Sequence, residues 1–337
     1  MKPVSSRFLI AATCAAVLGI ASSAAHAQVK IRVGSGLVPV HLAPLIFKDD
    51  KITRHMGKSY TVEFISFRGS SHQLTALASN EVDIAAFSVS SFAAGIQNAS
   101  LELVALADIM RDGPEFSGVY AVLDPGPIRT IADLKGRAVA INARGGTQDM
   151  TVRKQLLSNG LNPDRDVQIV EMPFTAMEAA LRDGKVALSP FSSGPWSNAT
   201  KKGGVRALFH ERDAGGTKQF IFYGARPDFV RKNRAALVDW LEDYIRGIDW
   251  LHDPANRAEA LKIVAAVTKR PAPSFADWVF LKGNDYFHDP KARLDVAAFQ
   301  SNLNDLKEFG IIKETFDVRK YVDESLVIEA ARRLTPR

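Results

Sequence analysis

The residues best placed for chemistry lie between Arg137 and Gly160. A short apolar run, Ala138 to Ile141, breaks into Asn142-Ala143-Arg144-Gly145-Gly146-Thr147-Gln148, and Met150, Val152, Leu156 and Leu157 then follow at helical spacing. This pattern predicts a strand, a glycine loop and a helix start. Thr147 would be the N-cap, Asp149 would sit in a positively polarised first turn, and Gly160 with Pro163 would stop the helix. Amide groups of the loop and first turn converge on one spot, and Arg144 adds a permanent charge beside it, so the expected occupant is an anion. The alternative is that Gly145 and Gly146 only permit a tight turn while Arg144 lies in solvent.

The elements that must position this loop recur along the chain. Val29 to Val33 alternates as a strand and runs into Gly34-Ser35-Gly36-Leu37-Val38-Pro39 before an apolar segment, His41 to Phe47. That loop lacks the third glycine of a dinucleotide fingerprint, so a backbone loop over a ligand is expected and a cofactor is not. A second strand, Thr61 to Phe67, ends in Arg68-Gly69-Ser70-Ser71, where Ser70 and Gln73 read as a capping box for a helix. A third, Val82 to Phe87, ends in Ser88-Val89-Ser90-Ser91. Three strands thus finish in small polar loops that feed helices, and ligands of open parallel sheets bind at those carboxyl ends.

An internal echo extends the pattern. Leu77, Val82 and Phe87 recur at the same spacing as Leu181, Val186 and Phe191. Val167 to Val170 precedes the second copy as a strand, followed by Met172-Pro173-Phe174 and a capping box of Thr175 with Glu178. After it comes Ser192-Ser193-Gly194-Pro195-Trp196. Two halves using one strand, loop, helix unit are expected. Between and after them lie strands at Gly118 to Leu123 and Gln219 to Gly224, a pair of crossings that reads as a hinge. Beyond Asp228 the chain reads as helical, with stripes at Leu237, Trp240, Leu241, Tyr244 and at Phe299, Leu303, Leu306.

Composition limits what such a chain can do. Lys2 and Arg7, an apolar run from Phe8 to Ile20 and Ala25-His26-Ala27 fit a cleaved secretory leader covering 1–27. Cleavage would remove Cys14, the sole cysteine, leaving neither disulfide nor thiolate. It would also lower the formal charge from +6 to +4, since two of the 43 bases and none of the 37 acids are lost. No basic block concentrates that surplus, so no nucleic-acid partner is expected. No later apolar run is long enough to span a bilayer, and a soluble exported protein is expected. His41, His55, His72, His210, His252 and His288 show no metal-ligand spacing, and no Gly-x-Ser-x-Gly elbow is present.

At this point the chain resembles the type II periplasmic substrate-binding proteins of ABC importers, in the nitrate, sulfonate and taurine branch that also holds thiamine-precursor binders. The resemblance is carried by the early Val-Gly-Ser-Gly loop, Phe67-Arg68-Gly69-Ser70 ahead of Leu77 to Ala85, Ile131-Ala132-Asp133-Leu134-Lys135-Gly136-Arg137, the Gly145-Gly146-Thr147 helix start and Asn302 to Ile312. It implies an α/β, two-lobe type II fold, each lobe a mainly parallel sheet flanked by helices, joined by a hinge of two crossings. The first lobe would combine 28–114 with 218–337, and the second would be 115–217. It implies a monomer that delivers its solute to an ABC permease and ATPase at the inner membrane from the periplasm. The loops implied as ligand-binding hold Ser35, His41, Phe67, Arg68, Gly69, Ser70, Ser88, Ser90, Arg144, Gly145, Gly146, Thr147, Phe174, Ser192 and Trp196.

The expected cargo is a small organic anion, with sulfonates and aromatic carboxylates ahead of nitrate, because Arg144 and two helix starts face loop aromatics. Phe67, Phe87, Phe174, Phe191 and Trp196 either face the cleft or pack beneath its loops. Arg68 either touches ligand or bridges to an acid across the hinge. The alternatives are a thiamine-precursor (pyrimidine) binder, which would need acidic walls, and a desulfinase-like enzyme on the same fold, whose cysteine nucleophile residues 28–337 lack. No catalytic residue, metal or cofactor is expected.

Overall fold

In the computed structural model the described residues are 28–335 apart from Pro114 and Phe309, and the expected leader with Cys14 lies outside them. Alternating and β-branched runs form two five-stranded sheets built to one plan. The first contains β1 (Val29–Ser35), β2 (Tyr60–Ser66), β3 (Ile84–Phe87), β4 (Val104–Asp112) and β10 (Lys218–Ala225), in the order β2-β1-β3-β10-β4. The second contains β5 (Val119–Leu123), β6 (Ala138–Ile141), β7 (Gln168–Glu171), β8 (Ser189–Phe191) and β9 (Val205–His210). β8-β5-β9 and β6-β7 are joined where Ala140 N–H donates to Leu188 and Ala187 N–H to Ala138, which gives β7-β6-β8-β5-β9. Only β10 and β5 run against their neighbours, so four of five strands in each sheet point one way. This is the mainly parallel, helix-flanked α/β arrangement expected.

Helices cover both faces of each sheet. α1 (Ala43–Ile46), α7 (Pro227–Lys232), α8 (Arg234–His252), α9 (Arg257–Thr268) and α11 (Ser325–Leu334) pack on one face of the first sheet. α2 (Ser70–Ala78), α3 (Val89–Gln97) and α10 (Val296–Glu308) cover the other. The second sheet lies between α4 (Thr147–Ser158) on one face and α5 (Phe174–Arg182) and α6 (Ser193–Lys202) on the other. The Trp240 stripe of α8 is fully buried, with Trp240 stacked on Phe47 at 5.9 Å. The echo is structural as well: Leu77, Val82 and Phe87 lie in the core of one sheet and Leu181, Val186 and Phe191 in that of the other, each set joining a helix to the third strand. Among the described residues no helix is long and apolar enough to cross a membrane.

The chain passes between the sheets twice, between Asp112 and Val119 and between His210 and Lys218. Gly215 and Gly216 both have positive φ in the second passage, where a side chain would strain the turn. Asp112 ties the first together by accepting from Ser117 Oγ at 2.7 Å and Gly118 N–H at 2.9 Å. Arg111 lies in β4, where it pairs with Asp289 at 3.2 Å.

Candidate functional site

The strands of the two sheets end facing each other, and a cavity of about 90 Å³ lies between them. Gly36, His41, Arg68, Gly69 and Ser70 line it from the first sheet, and Asn142, Thr147, Phe174, Phe191 and Ser192 from the second. Tyr120, Glu211, Phe220 and Tyr286 close its floor on the hinge side.

Its walls are helix starts. Gly69, Gly146, Pro173 and Ser192 are the N-caps of α2, α4, α5 and α6, and none caps its helix with a side chain. Each helix is long enough to carry a useful dipole, and its first amides lack intrahelical acceptors. α3 starts beside the cavity, with Ser88 Oγ 2.9 Å from Ser70 Oγ, and has a complete capping box between Ser88 and Ser91. The hydroxyls of Thr147 and Ser192 are buried without a hydrogen-bond partner in the protein, as is Asn142 Oδ1. These are polar groups whose satisfaction is left to whatever the cavity holds.

Three of the expected caps are therefore corrected. Ser70, Thr147 and Thr175 are not N-caps; their helices begin earlier, at Ser70, Thr147 and Phe174 themselves. Gln73 instead turns inward, its Oε1 accepting from Ala86 N–H at 2.8 Å. Glu178 pairs with Arg182 and Lys202, each at 2.9 Å. Asp149 accepts from Gly145 N–H at 2.8 Å, which holds the glycine loop shut.

His41 is buried and neutral, since loss of hydration pushes its pKa down to about 4. Its Nδ1 accepts from Gly36 N–H at 3.2 Å, which leaves the proton on Nε2. Glu211 is the cavity's buried carboxylate. It accepts from Tyr120 OH at 2.7 Å, from Lys218 Nζ at 2.9 Å and from the Thr151 hydroxyl, so its charge is compensated from behind. The neighbouring Asp112 has its pKa pushed up to about 7, by burial first and by Glu211 second.

The expected site residues divide into three groups. His41, Arg68, Gly69, Ser70, Thr147, Phe174 and Ser192 line the cavity. Ser88 and Ser90 line a smaller adjoining space of about 60 Å³ that shares Thr147, Glu211 and Phe220 with it. Ser35, Phe67, Arg144, Gly145, Gly146 and Trp196 line neither. Arg144 is exposed and turned away: its guanidinium donates to Ile169 O at 2.9 Å, and its N–H to Glu171 at 3.0 Å. Trp196 packs edge-on against Phe191 at 5.9 Å and borders a separate surface groove, and Phe67 packs into the core beside α2 and α3. Arg68 is at the cavity's edge, paired with Glu171 of the other sheet at 3.4 Å.

Tyr120, Asn142, Glu211, Phe220 and Tyr286 are among the lining residues that sequence reasoning missed. Asn142 was visible as the first residue of the glycine loop; the others sit on hinge strands or distant loops with no local motif. Outside the cavity, His55, Asp239 and Glu242 converge within reach of one ion, but Arg333 takes Asp239 at 2.8 Å and Arg246 takes Glu242 at 2.7 Å.

Contacts across the seam hold the two sheets' loops together on both sides of the cavity. Asn142 Nδ2 donates to Arg68 O at 2.8 Å, Ser90 Oγ to Gly145 O at 3.2 Å, and Ser193 Oγ to Asp285 at 2.8 Å. Lys154 pairs with Asp305 at 2.8 Å. The sequence profile of the NMT1-like family matches residues 24–265. The chain belongs to the NMT1-like family. It is 27% identical over 212 residues to a putative aliphatic sulfonates-binding protein of Escherichia coli K12, a match covering 63% of this chain and 64% of that relative. It is 30% identical over 159 residues to the nitrate/nitrite binding protein NrtA of Synechococcus elongatus, covering 43% and 33%. This chain thus spans less than two thirds of either relative's length in the matched region. The crystal structure of the periplasmic aliphatic sulphonate binding protein SsuA from Escherichia coli superposes with a TM-score of 0.66 at 21% identity, over 89% of this chain and 99% of that one. The fold of this NMT1-like chain is that of the periplasmic binding proteins.

Proposed function

We propose that this chain is the exported solute-binding component of an ABC importer, holding a small anion between two closing lobes. The observation that carries the reading is the convergence of four helix starts without side-chain caps on one cavity, which the unpartnered Thr147 and Ser192 hydroxyls also border. Uncapped starts attract negative charge by about 0.3 to 1 kcal/mol each, more when partly buried. Hydrogen bonds from Thr147 and Ser192 to a charged group would add about 1.5 to 3 kcal/mol each. Together these approach the roughly 8 kcal/mol of micromolar binding before any contribution from Arg68 at the cavity's edge, although such terms need not add. The relatives' names, sulfonate and nitrate binders, agree with this chemistry.

The two sheets support lobes at 28–114 with 218–337 and at 115–217, working as a monomer in the periplasm after removal of 1–27. The permease and its ATPase are the proposed recipients. The cavity of about 90 Å³ is smaller than the ~150 Å³ that admits a benzene ring, so it suits an acid head such as a sulfonate or carboxylate and leaves no room for an aromatic body. We read the protein as a binder and not as an enzyme, since it offers anion-holding amides and no cysteine between 28 and 337. A pyrimidine-type solute is the second reading, favoured by the Glu211 carboxylate in the floor. A thermal-shift and calorimetric screen of alkanesulfonates, carboxylates, nitrate and aminopyrimidines decides between them. Stabilisation by acids supports the first reading, and stabilisation by pyrimidines alone replaces it.

A further inference from the structure

The small cavity adjoins a much larger outer groove. Leu37, Phe174, Pro190, Phe191 and Ser192 line both, and beyond them the groove widens to about 530 Å³. Its base is apolar, with Met177 and Pro195, while Lys201, Lys202 and Arg270 stand on its rim with Glu178 as the one acid. Lys202 is paired with Glu178 at 2.9 Å and Lys201 with Asp277. The Arg270 guanidinium lies over the Phe275 ring at 5.1 Å and, among the described residues, has no carboxylate partner. An acid head held by the four helix starts would therefore direct the rest of its molecule over Leu37, Phe174 and Phe191, onto apolar surface that ends in positive charge.

We propose that the solute is an elongated dianion: a carboxylate or sulfonate head in the cavity, an apolar spacer in the outer groove and a second acid group at the Arg270 rim. The inference rests on the anion reading of the cavity and adds the length and second charge of the ligand. A cationic rim on an apolar channel selects for a terminal acid over a plain alkyl end, which would lie near the exposed Arg270 charge without pairing with it.

Calorimetric titration of the full chain tests this with two series, monoacids and α,ω-diacids of two to eight carbons, with carboxylate or sulfonate heads. Affinity is expected to rise about fourfold per methylene once the spacer leaves the cavity. A long diacid should bind about five- to tenfold tighter than the monoacid of equal length. Arg270→Gln should abolish that preference while leaving acetate-sized acids unchanged. Asn198→Trp, which fills the groove from α6, should remove the gain with length and spare short acids; Ser274→Trp fills the same groove from the other side if the first variant fails to fold. Affinity that is flat or falls with length, or equal for mono- and diacids with Arg270→Gln silent, overturns the inference while leaving the anion reading standing. If no acid of any length binds, both fall together.

Discussion

Gly69→Ala should separate ligand capture from folding. Gly69 has extended backbone, φ −170°, which alanine adopts freely, so its own lobe should fold unchanged. A Cβ there would lie 2.8 Å from Ala143 Cβ and 2.8 Å from Asn142 Nδ2, both across the seam. Carbon atoms pack at about 3.5 to 4.0 Å, so the lobes would have to part by roughly 1 Å at this point. Parting breaks the Asn142 to Arg68 hydrogen bond, about 0.5 to 1.5 kcal/mol net, and forcing the contact instead costs about 1 to 3 kcal/mol of overpacking. Whichever costs less, the closed, ligand-holding state should lose about 0.5 to 3 kcal/mol, a weakening of roughly two- to a hundredfold in calorimetry with the best anion found. The melting temperature without ligand should fall by only a few degrees, and small-angle scattering should show less compaction on adding ligand than in wild type. Wild-type affinity in Gly69→Ala, with normal compaction, would mean that closure along this seam is not part of binding.

Other perturbations probe the remaining parts. Arg144→Ala should leave anion affinity within about twofold of wild type in the same titration, because its guanidinium is spent on the Ile169 carbonyl. Thr147→Val and Ser192→Ala, which remove the two unpartnered hydroxyls, should each weaken an anion about tenfold and barely move the melting temperature. Asp285, which receives Ser193 Oγ across the seam, is held protonated up to about 6, chiefly by burial, whereas an unfolded aspartate titrates near 4. The native state thus keeps a proton that the unfolded chain has released, so stability falls as pH rises through that window, by about 3 kcal/mol at most from this group. Asp108 and Asp112, both raised to about 7 by burial first, act in the same direction. The buried neutral His41 and His288 act in the opposite direction, so the test is the difference: the loss of stability between pH 5 and pH 7.5 attributable to Asp285 should vanish in Asp285→Asn, and an identical pH profile in that variant would refute the assignment.

Much of the fold was legible because it rests on local periodicity. The strand at Ala138–Ile141 was readable to the residue, and the buried triplets Leu77, Val82, Phe87 and Leu181, Val186, Phe191 announced two copies of one sheet. The antiparallel strands β5 and β10 were visible as elements, but their direction is set by partners far away in sequence. The site was legible as loops and less so as side chains. Arg144 has the right type at the right loop, yet Glu171 and the Ile169 carbonyl offer it partners on the outer side, and only the folded β6–β7 pair brings those within reach. Glu211 and Tyr286 enter the cavity from the second crossing and from the stretch between α9 and α10, where no motif marks them.

The misread caps bear on what the proposed site would bind. Ser70, Thr147 and Thr175 are the residue types that normally close a helix start, and each was read that way from its neighbours. In the structure each helix begins one or two residues earlier, behind a glycine or a proline that cannot cap. The first-turn amides and the Thr147 hydroxyl therefore remain available at the one place where two lobes meet. Helix α3, beside them, does carry a full cap, with Ser88 and Ser91 answering each other. Helix starts elsewhere also lack side-chain caps, so what sets these four apart is their convergence on one cavity, where a bound negative charge would satisfy their free amides. The consequence is testable: Gly146→Ser offers α4 a capping oxygen, with its Cβ 3.2 Å from Ala143 O, and the protein should then be more stable without ligand and bind its anion less tightly.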